Sequence, residues 1–307
     1  MRYNPKARLD TSQVRVRSGG GGGGGGFRMP TGGGGSGMKV GGGIGGIVIL
    51  VLVLLLQSQF GGGGGDGGQL GAGPETASLE QCEDGTDAQQ DRQCGIVADV
   101  NSIQSFWSGA LPRQSDRDYR EAVTTLFTGG VNTACGNASS DVGPFYCPAD
   151  EGVYLDRRFF EDMLQGRLGA EGGAFSESYV LAHEYGHHVQ NILGTMGRVR
   201  TQQGPDSDAV RLELQADCYA GMWAKHATEA PDADGQPYIL ELTEQDIAQA
   251  LDAARAVGDD RIQQRSGGRV NPDAWTHGSS DQRMQWFRTG LEQGSLQACD
   301  TFATGRL

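Results

Sequence analysis

The sequence predicts an α+β fold, mainly helical with a small sheet, preceded by a single transmembrane helix. Three patterns carry that expectation: apolar residues at helical spacing from Val97 onward, an aromatic and β-branched stretch around a turn at 144–155, and a charge-free run at 40–56.

Taken in chain order, the first 39 residues form a basic, glycine-rich segment. It holds Arg2, Lys6, Arg8, Arg15, Arg17, Arg28 and Lys39 against one acid, Asp10, in a chain of net charge −13. Glycine dominates residues 18–37 and 61–74, which cannot bury enough apolar surface to offset ordering entropy and read as flexible tethers. Between them, Val40–Leu56 has the length of a short membrane span. No A-x-A-like cleavage site follows, since Gln57, Ser58, Gln59 and Phe60 stand there, so an uncleaved anchor is expected rather than a signal peptide. The Lys and Arg excess before the run places the N-terminus in the cytoplasm and the bulk of the chain outside. The expected organisation is therefore a cytoplasmic segment 1–39, an anchor 40–56, a stalk 57–74 and one domain 75–307. A domain of that length can bury a core without staples. Its acidic balance excludes wrapping of a phosphate backbone, so no nucleic-acid partner is expected.

Cys82, Cys94, Cys135, Cys147, Cys218 and Cys299 all lie beyond the apolar run, as an oxidising compartment would produce. Short loops favour Cys82 with Cys94 and Cys135 with Cys147, leaving Cys218 for Cys299. No C-x-x-C pair argues for a thiolate metal site.

Val97, Val100, Ile103, Phe106 and Trp107 recur at intervals of three and four, and Ser108 and Gly109 are expected to end that helix. Thr243 with Asp246 three residues on begins a second, with Ile247, Leu251 and Ala254 on one face. The segment GPFYCPADEGVYL reads as a hairpin.

Residues 176–194, SESYVLAHEYGHHVQNILG, hold His183, Glu184 and His187 in the order H-E-x-x-H. On a helix the two imidazoles stand one turn apart and can converge on one ion. Glu184 beside them is placed to take a proton from metal-activated water and pass it to a leaving amine. Leu181, Tyr185, Val189 and Ile192 form the opposite, apolar stripe, and Ser176 and Gly194 read as caps. Pairs of histidines at this spacing also occur by chance on surface helices, so a third ligand matters. The metzincin position six residues after the second histidine holds Leu193, and Gln190 replaces that pattern's glycine, which excludes the class. Downstream, ELQADCYAGMWAKHA places Glu213 and Asp217 on one helical face that Ala220 and Ala224 continue, small enough for another helix to approach. Glu213 is the expected third ligand, and Asp217 the group that holds a ligating histidine by its other nitrogen. Asp217 as ligand is the alternative. The donor set points to Zn²⁺. His188 points about 100° away from His187 and reads as structural.

HEYGHHVQN, ELQADCYAGMWA, FYCPADEGVYLD, THGSSDQRMQWF and ACDTF together resemble the bacterial putative neutral zinc metallopeptidase family, whose members also begin with a basic, glycine-rich segment and an apolar stretch. The resemblance covers nearly the whole chain. It implies a zincin-like fold in which His183, His187 and Glu213 bind zinc and Glu184 is the general base. Glu213 and Asp217 are also similar to the E-x-x-x-D of gluzincins, which add a downstream histidine to stabilise the oxyanion. His226 and His277 are the choices here, and His277, in the loop WTHGSS, is the one expected to reach a cleft. Arg283 shares that role or pairs with an acid.

The expected function is a membrane-anchored zinc peptidase acting on peptide or protein substrates, as an endopeptidase before an exopeptidase. The hairpin at 145–155 would offer an edge to an extended substrate. Two other readings are an envelope binding or chaperone-like module with a structural zinc, in which Glu184 has no purpose, and an amidase of cell-wall peptides.

Overall fold

The computed structural model describes residues 1–18, 79–305 and 307. The apolar run 40–56 and the tethers around it lie outside the described residues. Among the described residues no helix is long and apolar enough to cross a membrane.

The architecture is α+β, with helices packed beside small sheets. Strands β1 (Arg2–Tyr3) and β2 (Val14–Ser18) precede helices α1 (Gly85–Gln90) and α2 (Arg92–Gln114). Strands β3 (Val123–Thr128), β4 (Gly130–Thr133), β5 (Gly136–Ser139), β6 (Phe145–Cys147) and β7 (Gly152–Asp156) follow, then a π-helix, Phe159–Arg167. Helices α3 (Ala174–Leu193) and α4 (Asp208–His226), strand β8 (Ile239–Glu241), and helices α5 (Glu244–Ala256), α6 (Asp259–Arg265) and α7 (Ser280–Gln293) complete the order. The main sheet runs β2-β3-β7-β6, with β2, β3 and β7 parallel and β6 antiparallel to β7, so 144–155 is indeed a hairpin.

Residues 1–18 correct the expected domain boundary. Rather than forming a separate segment, they add β2 to β3, with Val14 opposite Thr124 and Val16 opposite Leu126, and β1 to β8. Val14 and Val16 are buried, and Asn101 on α2 clamps the turn before them by bonding both main-chain groups of Asp10.

Two helix ends also differ from expectation. Helix α2 continues through Gly109 and Pro112 to Gln114, because Ala110 and Leu111 bury their side chains in the core and outweigh the roughly 1 kcal/mol cost of a helical glycine. Ser176 lies inside the first turn of α3 rather than capping it, and its hydroxyl donates to the Gln249 carbonyl. Gly194 does end α3, in the left-handed conformation. Thr243 and Asp246 form the capping box of α5.

Glycines set how closely the site helices approach. A Cβ on Gly186 of α3 would lie 3.0 Å from the Ala216 Cα of α4. Between α4 and α7 the fit is tighter: a Cβ on Gly221 would lie 2.0 Å from the Phe287 carbonyl oxygen, and one on Gly290 1.9 Å from that of Cys218. Close approach thus runs through these glycines, while Ala220 and Ala224 are buried beside them. Disulfides join Cys82 to Cys94, Cys135 to Cys147 and Cys218 to Cys299.

Candidate metal centre

Helix α3 presents His183 and His187 one turn apart, and Gly186 between them lets α4 come near enough to bring Glu213 to both. His183 Nε2 lies 3.3 Å from Glu213 Oε2, and His187 Nε2 lies 3.4 Å from Glu213 Oε1. One donor atom from each of the three falls within 4.8 Å of the others, close enough to hold a metal ion. All three side chains are buried.

The opposite nitrogen of each imidazole is held from behind. His183 Nδ1 lies 2.8 Å from Asp217 Oδ1, and His187 Nδ1 lies 2.8 Å from Gln190 Oε1. Both arrangements leave Nε2 free as a metal ligand. Two nitrogens and one carboxylate, each with Nε2 or oxygen turned inward, match the donor chemistry of zinc.

Asp217 is itself surrounded. Tyr179 donates its hydroxyl to Oδ1 at 2.5 Å, and Arg283 donates Nη2 to Oδ1 at 2.9 Å and Nε to Oδ2 at 2.8 Å. Burial opposes charge on Asp217, yet Arg283 and His183 hold its carboxyl at about 2. Burial likewise opposes protonation of His183, but Asp217 and Glu213 push it up to about 9. Against burial, His187, His277 and His183 keep the Glu213 carboxyl well below the usual range.

Glu184 lines the same cleft without joining the triangle. Burial raises its carboxyl, more strongly than the neighbouring His183 and His187 lower it, which moves it toward the range of a working general base. His277 also lines the cleft, in the loop between α6 and α7. Its Nδ1 lies 2.9 Å from Thr276 Oγ1, and the Asp259 carboxylate accepts the backbone N–H groups of Thr276, His277 and Gly278. Burial lowers the His277 ring's basicity, but Glu213 and Asp259 raise it overall. His188 lies outside the site, bonded to Tyr146 and the Arg120 carbonyl. His226 pairs with Glu229 at the end of α4.

The cleft has a volume of about 120 Å³ and is walled by Val142, Phe159, Met163, Leu168, Val180, Val257 and Ile262. Three of these come from the π-helix and the turn after it, a helix type frequent at functional sites.

The family model described as "Putative neutral zinc metallopeptidase" matches residues 2–302. The chain belongs to that family. Strands β1 and β2 lie inside the matched region, so this zinc metallopeptidase family's model spans the N-terminal strands as well as the site. Among relatives of this chain, the uncharacterized protein Rv2575 of Mycobacterium tuberculosis is 50% identical over 231 residues, 75% of this chain and 77% of the relative. The uncharacterized protein YpfJ of Escherichia coli is 45% identical over 192 residues, 61% of this chain and 63% of the relative. No solved structure matches the chain.

Three features of the site escaped sequence reasoning. Tyr179 stands four residues before His183, so helical spacing could have found it. Gln190 and Gln215 carry no charge and give no such signal. The π-helix wall leaves only Phe159 and Met163, four apart, as a trace.

Proposed function

We propose that this member of the family hydrolyses peptide bonds, with a zinc ion held by His183, His187 and Glu213. The observation that carries the reading is a three-residue donor set opening on a cleft that also contains a buried carboxylate, Glu184. Structural zinc sites are closed by four protein ligands, whereas catalytic sites keep a position open. When bound, zinc supplies Lewis-acid polarisation of a carbonyl and lowers the pKa of water.

The chain's own residues divide the remaining work. Glu184 accepts the proton of the attacking water and delivers it to the leaving amine. Arg283 spends Nε and Nη2 on Asp217 and Nη1 on the Val257 carbonyl, so it serves as counter-ion to Asp217. That leaves His277, whose ring faces the cleft with raised basicity, to stabilise developing negative charge on the substrate. The apolar wall supports a bulky apolar side chain next to the cut bond. Val142, Gly143 and Pro144, which lead into the outermost strand β6, line the cleft and support an extended substrate along that edge, cut internally.

Digestion of a peptide library by the zinc-loaded full chain tests this reading, with Glu184→Gln as control. The expected result is internal cleavage beside large apolar residues that the variant lacks. N-methylation of the substrate backbone near the cut should raise KM. Uniform cleavage regardless of side chain and of N-methylation would remove the cleft-wall and edge assignments.

We further propose an extracytoplasmic domain, supported by the three disulfides, attached to a membrane through residues 40–56 with residues 1–18 on the domain's side. Alkaline extraction of membranes and protease access to tags at both ends test it. An N-terminal tag shielded while the domain is accessible would overturn this arrangement.

A further inference from the structure

The two histidines of the triangle are held in different ways. A carboxylate stands behind His183, whereas a neutral amide stands behind His187: Gln190 Oε1 lies 2.8 Å from His187 Nδ1. Gln190 Nε2 donates to the Leu212 carbonyl at 2.7 Å and to Gln215 Oε1 at 3.1 Å. Gln215 Nε2 in turn donates to the Cys299 carbonyl at 3.0 Å. His187, Gln190 and Gln215 are all buried, Gln190 completely.

Partners decide which way a glutamine amide faces, and these partners leave one choice. Backbone carbonyls only accept hydrogen bonds. The Cys299 carbonyl therefore takes the NH₂ of Gln215, which turns Gln215 Oε1 toward Gln190. The Leu212 carbonyl takes the NH₂ of Gln190, which turns Gln190 Oε1 toward His187. An amide oxygen also only accepts, so His187 carries a proton on Nδ1, and its Nε2, 3.4 Å from Glu213, is the nitrogen left to face the ion. The opposite tautomer would aim an N–H at the position of the ion. Cys299 is fastened by its disulfide to Cys218 on α4, the helix that also carries Glu213 and Gln215.

We propose that Gln190 and Gln215 are positioning residues that set the ring tautomer of His187 for metal binding, with the disulfide-anchored Cys299 carbonyl as the fixed end of the chain. The consequence for metal affinity rests on the zinc reading above; the tautomer is a property of the protein itself.

The test uses the full, oxidised chain. Nitrogen-15 NMR of the imidazoles in the metal-free protein reads the His187 tautomer, and zinc competition with a chromophoric chelator reads affinity. The parent should show His187 protonated on Nδ1. Gln190→Met, similar in size but without the acceptor, should mix the tautomers and weaken zinc binding by about 10–100-fold. Gln215→Met should act in the same direction by a smaller factor, and the His183 tautomer should stay unchanged in both. A parent His187 with no proton on Nδ1 overturns the proposal with no variant needed, so a variant that fails to fold leaves the question decided. Retention of the parent tautomer and affinity in a folded Gln190→Met protein overturns it as well. A parent that binds no zinc refutes the peptidase reading instead, and the tautomer measurement still decides this one.

Discussion

His183 turns its Nε2 toward Glu213 because Asp217 holds its Nδ1 at 2.8 Å. The same carboxylate carries Arg283 of α7 through two nitrogens, so one buried acid ties a candidate metal ligand on α3 to helices α4 and α7.

Removing the charge of Asp217 should separate two effects. Asp217→Asn is expected to weaken zinc binding by about 10–100-fold, because the imidazole loses its anionic partner. Both variants leave the buried Arg283 without its counter-ion, and Asp217→Ala, which also removes both acceptors, should lower stability the more, by about 3–5 kcal/mol. Chelator competition reads the first effect and urea unfolding the second. Parent-like values for both variants would show that Asp217 supports neither.

Asp99 predicts a pH dependence away from the metal. It accepts from the Tyr3 hydroxyl at 2.9 Å and the Ser178 hydroxyl at 2.7 Å, and burial outweighs both bonds to raise its carboxyl to about 7. Its ordinary value is 3.8, so between those two pH values the folded protein retains a proton that the unfolded chain has released. Stability from this group is therefore full below the lower value and declines as pH rises to about 7, by on the order of a few kcal/mol. Urea unfolding at pH 5 and pH 8 should show the decline, and Asp99→Asn should flatten it. An identical slope in parent and variant would contradict the assignment.

The α4–α7 contact has no room for a methyl group. Gly221→Ala and Gly290→Ala each place a Cβ about 2 Å from a backbone oxygen of the facing helix. Each is expected to cost about 1–3 kcal/mol or more, and to weaken zinc binding because α7 carries Arg283. Thermal unfolding and metal titration check both. Unchanged melting would show that the helices separate freely.

Val16 tests the place of the N-terminal residues. It is buried beneath the β2–β3 pairing, so Val16→Asp should destabilise the whole domain by about 3 kcal/mol. An N-terminal segment independent of the domain would leave its unfolding midpoint where it was.

The parts of this protein legible in its sequence are those whose partners lie within a few residues. H-E-x-x-H declares itself because helical pitch alone brings His183 and His187 together, and the Thr243 capping box and the two disulfides of sequence separation 12 close over short distances. Glu213 could be paired with the histidines because metal chemistry demands a third donor. The N-terminal strands were misjudged because glycine-rich sequence separates them from the domain, and the β2–β3 pairing spans that interval. Gly221 and Gly290 mean nothing until each meets the other's helix. Gln190 and Gln215 read as ordinary polar residues until their carbonyl partners are known.

The most direct test of the central claim is bound zinc together with peptide cleavage in the full, oxidised chain, compared across the parent, Glu184→Gln and Glu213→Ala. The account predicts one zinc per chain and cleavage in the parent, one zinc and no cleavage in Glu184→Gln, and loss of both in Glu213→Ala. A Glu213→Ala protein that holds zinc as tightly as the parent, or a Glu184→Gln protein that cleaves as fast, would contradict it.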